Sequence, residues 1–127
     1  SYGVYTMVTE TTLHAALAHG AELNYRKLDC VVVKGRHQSV DLYELWDSSI
    51  DREATTNCKV AYEEALAHYF KGDWAVALAA FEASEVLEPS IAFAPTTPSS
   101  VLAARCRQFI AEGDPENWDG TFTLTSK

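Results

Sequence analysis

Basic charge is scarce in this chain. Ten Lys and Arg stand against eighteen Asp and Glu over 127 residues, a formal net charge of −8. With no basic stripe to follow a phosphate backbone, the composition argues against nucleic acid as a partner. Cysteine is sparse as well: Cys30, Cys58 and Cys106 are odd in number, far apart and form no C-x-x-C pair. That speaks against a disulfide framework or a zinc site and points to reduced thiols and a cytoplasmic setting. Long hydrophobic runs are missing. The longest uncharged stretch begins at Pro89, ends at Ala104 and is interrupted by Pro95 and Pro98, so it does not read as a membrane span. No secretory leader pattern opens the sequence.

What is present is the composition of a folded protein. Hydrophobic residues make up 47% and charged residues 22%, which suits one ordinary domain or two small ones sharing a core. Acidity is unevenly spread: residues 1–47 carry four Lys/Arg against six Asp/Glu, and residues 48–127 carry six against twelve. That excess bears on solubility more than on fold. The first residues, SYGVYTMV, enter a strand pattern without a leading cap or helix, and the expectation is that they continue a longer polypeptide.

Within 1–47, Val4 to Val8 has the β-branched and aromatic content of a short strand. Thr9 can cap a helix with Glu10 in its first turn. Leu13 and Leu17 share a face of that helix, and Gly20 is placed to end it. Glu22 to Asp29 reads as a strand of mixed polarity. Cys30 to Val33 and Val40 to Leu45 then flank a polar, Gly-containing segment of about four residues, the composition of a β-hairpin. The predicted order is strand, short helix, strand, hairpin. A piece this size is below the length at which a domain buries enough on its own, so it needs a packing partner.

Within 48–127, Asp51 is a plausible cap for a helix running to about Phe70, with Val60, Ala61, Ala65 and Tyr69 at helical spacing. Lys71-Gly72-Asp73 interrupts it, Trp74 to Leu87 makes a second helix, and Pro89 follows. A third helix is predicted from about Ser99 to Glu112, and the tail alternates like a strand from Thr121.

Several short motifs, taken in order, carry a family resemblance. Tyr2-Gly3-Val4, Val8-Thr9-Glu10-x-Thr12, Val33-Lys34-Gly35 and Val40-x-x-Tyr43-Glu44-Leu45 resemble the closing third of the class III adenylate/guanylate cyclase catalytic domain. Ala65…Gly72-x-Trp74-x-x-Ala77-x-x-x-Phe81…Leu87-x-Pro89 resembles one tetratricopeptide repeat. Trp118-Asp119-Gly120 and Thr125-x-Lys127 are similar to the tail of the helical extension that many bacterial-type cyclases carry. The resemblance implies an α+β fold. Residues 1–47 would be the C-terminal part of a ferredoxin-like cyclase catalytic domain, and residues 48–127 a three-helix, tetratricopeptide-like extension with a C-terminal tail.

One site residue follows from it. The lysine of the family's V-K-G turn reaches the triphosphate of the bound nucleotide, and that position here is Lys34. Without the family, Lys34 and Gly35 read as a solvated turn lysine beside a turn glycine. Arg36 and His37 read as surface polarity, and His14 and His19 as surface or half-buried histidines without metal spacing. The resemblance further implies a nucleoside triphosphate (ATP or GTP) as substrate, Mg or Mn in the complete catalytic domain, and a second cyclase catalytic domain as dimer partner. It also allows a membrane anchor upstream. The carboxylates that hold the metals and the Asn and Arg that steady the transition state belong to an earlier part of the family's domain. No catalytic residue is therefore assigned within these 127 residues, and the chain by itself is expected to be inactive. The helices read first as a structural extension that buries its own apolar faces. The alternative is a non-catalytic interaction or scaffold module, built from a degenerate cyclase domain, whose helices hold a protein partner. A plain tetratricopeptide adaptor is a third reading.

Overall fold

The computed structural model describes residues 2–89 and 95–124, and Thr125-x-Lys127 of the tail motif lies outside them. Among the described residues the architecture is α+β, with four helices and a four-stranded mixed sheet. Strand β1 (Met7–Thr9) is shorter than the expected Val4 to Val8 and runs directly into helix α1 (Glu10–Ala18). Thr9 caps that helix, its side-chain oxygen accepting from the Thr12 N–H at 3.4 Å. Gly20 turns the chain at φ +83° just past the end, a conformation that glycine tolerates without a steric cost.

The next stretch departs from expectation. Glu22 to Asp29 and Cys30 to Val33 are not two strands but one, β2 (Asn24–Val33), paired antiparallel with β3 (Val40–Trp46). A bulge between Lys27 and Asp29 explains the mixed polarity. It re-phases the strand, so that Arg26, Leu28, Asp29 and Val31 are all buried, as an extra residue in one strand requires. Residues 34–39 connect the two strands, a longer loop than the sequence pattern predicts. The sheet order is β1-β3-β2-β4, with β4 (Phe122–Leu124) pairing parallel to Val31–Val33 of β2. The chain's last described strand therefore completes the sheet begun by its first residues.

Three helices follow the hairpin close to where the apolar periodicity puts them. Asp51 caps α2 (Arg52–Phe70) through the Ala54 N–H. Helix α3 (Trp74–Glu85) ends two residues before the expected Leu87. Helix α4 (Pro98–Glu112) opens on a capping box between Thr97 and Ser100, with Pro98 in its first turn, where its missing N–H costs nothing. Helix α2 packs on α3, α3 on α4, and α2 on β2. Ala65 and Ala77 are fully buried, which brings the first two helices close. The core is strongly aromatic: Tyr69 meets Trp74, Phe81 and Trp118 edge-on, and Trp74 lies 4.7 Å from Phe109. Such tilted and T-shaped contacts are favoured by the ring quadrupoles.

The side of β2 away from β3 is covered in two ways. Its end from Val31 to Val33 is paired with β4. Farther down, the Lys27 N–H donates to Glu63 at 2.9 Å and the Leu28 carbonyl accepts from the Tyr62 hydroxyl at 2.8 Å. Helix α2 thus supplies side-chain partners for backbone groups that would otherwise be costly to bury. Among the described residues, no helix is long and apolar enough to cross a membrane.

Candidate functional site

Residues 34–39 form the β2–β3 loop. Lys34 sits at its start, its N–H donating to the Leu124 carbonyl at 2.9 Å, and the Arg36 N–H donates to the Val33 carbonyl at 2.9 Å. Gly35 adopts φ +88° with nothing within 4 Å of where a Cβ would stand. Glycine is required there for the backbone angle, not for space. The side chains of Lys34, Arg36 and His37 are exposed. None of the three makes an ion pair with another described residue. Three cationic or cationisable groups are thus presented on one anchored loop.

The tail returns to this loop. A cleft of about 490 Å³ is lined by Arg36 and His37 of this loop and by Glu116, Trp118, Asp119 and Phe122 of the tail. The aromatic lining is held in place by the protein. Trp118 donates its indole N–H to the Phe70 carbonyl at 3.0 Å and lies 5.1 Å from Trp74. The Arg105 guanidinium lies 3.5 Å from the Phe122 ring centroid. Asn117 and Gly120 take positive φ values of 55° and 93° to make the turn, and Asp119 accepts from the Thr121 N–H. The hairpin loop and the Trp118-Asp119-Gly120 turn, distant in sequence, therefore meet around one concavity. A second cleft of about 420 Å³ lies against Val31, Val33 and Val40 and shares Arg36 and His37.

Two buried charge clusters tie β2 to the helices. Arg26, wholly buried, spends its guanidinium on Glu44 (Nε to Oε1, 2.9 Å), on both oxygens of Glu88 (2.8 and 2.6 Å) and on the Cys58 sulfur (3.1 Å). Its plane lies between Trp46 and Tyr62, 4.9 and 4.6 Å from the ring centroids. Burial works against its charge, but the carboxylates, Glu88 foremost, outweigh it and hold its pKa above the usual arginine value. Burial likewise raises the Glu44 carboxyl in spite of Arg26 and pushes the Cys58 thiol up to about 12. In the second cluster Asp29 accepts from Tyr2 at 2.7 Å and from Arg105 at 2.6 Å, and Arg105 also donates to Tyr69. With every ionised group paired and hydrogen-bonded, these clusters are architectural and present no group to a ligand.

Sequence reasoning passed over Arg26, Asp29, Glu88 and Arg105. One signal was available: Arg26 and Glu44 are direct cross-strand partners, opposite charges that a correct hairpin register would have aligned. His14 and His19 are exposed, and His14 faces Glu10 at 3.7 Å. Trp74 is in the core, its indole N–H donated to Asp114. Among the described residues no group of three or more His, Cys, Asp or Glu is arranged to hold a metal ion. No family model matches this chain, and no curated protein or solved structure matches it either.

Proposed function

We propose that this chain is part of a class III nucleotide cyclase, a protein that converts ATP or GTP to the 3′,5′-cyclic nucleotide and pyrophosphate. In this reading Lys34 holds the terminal phosphates and α2, α3 and α4 form a tetratricopeptide-like extension. The observation that carries it is the β2–β3 hairpin itself. Residues 25–46 are two antiparallel neighbours, and Lys34-Gly35 leaves the end of β2 with its side chain exposed and its backbone tied to β4. An ammonium so presented can neutralise phosphate charge while the glycine lets backbone approach. The close approach of α2 and α3 at Ala65 and Ala77, with Trp74 and Phe81 buried between the helices, is the packing a helical repeat of that kind requires.

In the complete catalytic domain this chain's contribution is electrostatic. Lys34 orients and stabilises the departing pyrophosphate, while metal ions (Mg or Mn) and a second catalytic domain complete the site. A lysine alone does not cyclise a nucleotide, so the 127-residue chain produces no cyclic nucleotide with Mg or Mn added. The decisive measurement is steady-state kinetics on the protein extended through the residues encoded before Ser1. Lys34→Ala raises KM for the nucleoside triphosphate by about tenfold, the worth of one charge-assisted hydrogen bond, and Lys34→Arg restores part of it. An unchanged KM and kcat in Lys34→Ala would overturn the assignment.

A further inference from the structure

We infer that the cleft between the hairpin loop and the Trp118-Asp119-Gly120 turn is a small-molecule site of its own, built for a planar aromatic amine that carries a single anionic group. It does not rest on the cyclase reading, and it does not use Lys34.

Four observations converge. The volume, about 490 Å³, falls in the range of about 300–1,000 Å³ typical of small-molecule sites. Trp118 and Phe122 line it with aromatic surface already fixed by contacts on the protein side, so a flat ring can stack there without first ordering the residues beneath it. Arg36, also in the lining, has no ion-pair partner among the described residues. Its planar fork, beside His37, suits a carboxylate or phosphate oxygen pair.

The acidic residues of the lining set the number of charges. Glu116 and Asp119 repel a ligand bearing several negative charges and can accept hydrogen bonds from an amino group on the ring. A dipolar cleft of this kind selects a molecule with one anionic end and one donor end. The plainer account is that the basic and acidic side chains of the lining pair with each other and fill the cleft. Among the described residues no ion pair joins them, and exposed pairs of that type contribute at most about 1 kcal/mol, too little to hold the cleft shut.

The class has two sources, a cyclic nucleotide or an aromatic amino-carboxylate. Isothermal titration of the 127-residue chain separates them. The probes are 3′,5′-cyclic AMP (ring, amine, one negative charge), 4-aminobenzoate (the same features on a carboxylate), adenosine (no charge) and ATP (several charges). Either monoanion binds more tightly than both adenosine and ATP, and which of the two binds names the source. Arg36→Ala weakens that binding by about tenfold, while Lys34→Ala leaves it unchanged. Both positions are exposed, and an unaltered melting temperature verifies that each variant is folded. Failure of both monoanions to bind at millimolar concentration overturns the proposal. So does a preference for ATP that is lost in Lys34→Ala, a result that would leave the phosphate role of Lys34 standing.

Discussion

Arg26→Met tests how the sheet and the helices are held together. The guanidinium is wholly buried, and its donors go to Glu44, Glu88 and Cys58. The side chains of Glu44 and Glu88 are themselves only 2% and 5% exposed, so removing the arginine leaves two carboxylates in a nearly water-free site. Methionine replaces most of the volume between Trp46 and Tyr62, which confines the loss to electrostatics. Breaking a buried ion pair from one side costs about 3–5 kcal/mol, chiefly through the stranded charge. For a domain of this length that lowers Tm by roughly 10–20 °C. Urea unfolding followed by far-ultraviolet circular dichroism measures it, with the slope unchanged if only stability is altered. The companion variant removes all three charged groups, Arg26→Met with Glu44→Leu and Glu88→Leu, and recovers part of that loss; about 1–3 kcal/mol stays lost because the buried Ser99 N–H and hydroxyl give up Glu88 as acceptor. A loss below about 1 kcal/mol for Arg26→Met alone would refute the reasoning, because the carboxylates would then have found water or a proton at little cost.

Two further perturbations probe backbone space at the glycines and the burial of the thiols. Gly3 and Gly20 share positive φ values of 75° and 83°, but a Cβ on Gly3 would stand 2.0 Å from the Thr96 carbonyl oxygen, while at Gly20 nothing lies within 4 Å. Gly3→Ala therefore loses about 2–4 kcal/mol and Gly20→Ala about 1 kcal/mol in parallel denaturation curves, and equal losses would show that space at Gly3 is not limiting. Alkaline pH supplies the second. Burial raises the thiols of Cys58 and Cys106 from 9.0 to about 12 and about 11. Groups raised in the folded state contribute stability that is complete below pH 9 and lost as pH rises through those values. Tm measured by scanning calorimetry stays level up to about pH 9 and falls toward pH 11, and a flat profile across that interval would contradict the burial of both thiols.

Much of the secondary structure was legible because it is locally encoded. Thr9, Asp51 and the Lys71-Gly72-Asp73 break mark helix ends by capping and turn chemistry, and the α2 and α3 faces repeat at helical spacing. What escaped depends on distance. The bulge at Lys27/Asp29 fused two expected strands into one because Arg26 and Asp29 find partners on α3's trailing segment and α4, 62 and 76 residues away. Polar residues in a strand look solvent-facing until such partners are known. The parallel pairing of β4 with β2 is equally non-local, since nothing in Phe122–Leu124 names the strand beside it. Lys34 was singled out only by its resemblance to a family motif, and it stands exposed on its loop. The cleft around Arg36, by contrast, is assembled from both ends of the chain and has no linear signature.

The Glu63 and Tyr62 contacts along β2 carry a consequence for how this protein can associate. A free margin of a sheet is a template onto which another polypeptide can add as an extra strand, the route to domain swapping and fibrils. Here the lower half of β2 is closed to such addition, because its Lys27 N–H and Leu28 carbonyl are engaged by side chains that a visiting backbone would have to displace. The upper half is occupied by only three residues of β4. Self-templating by this chain is therefore directed to the two short outer strands, β1 and β4, and not to β2.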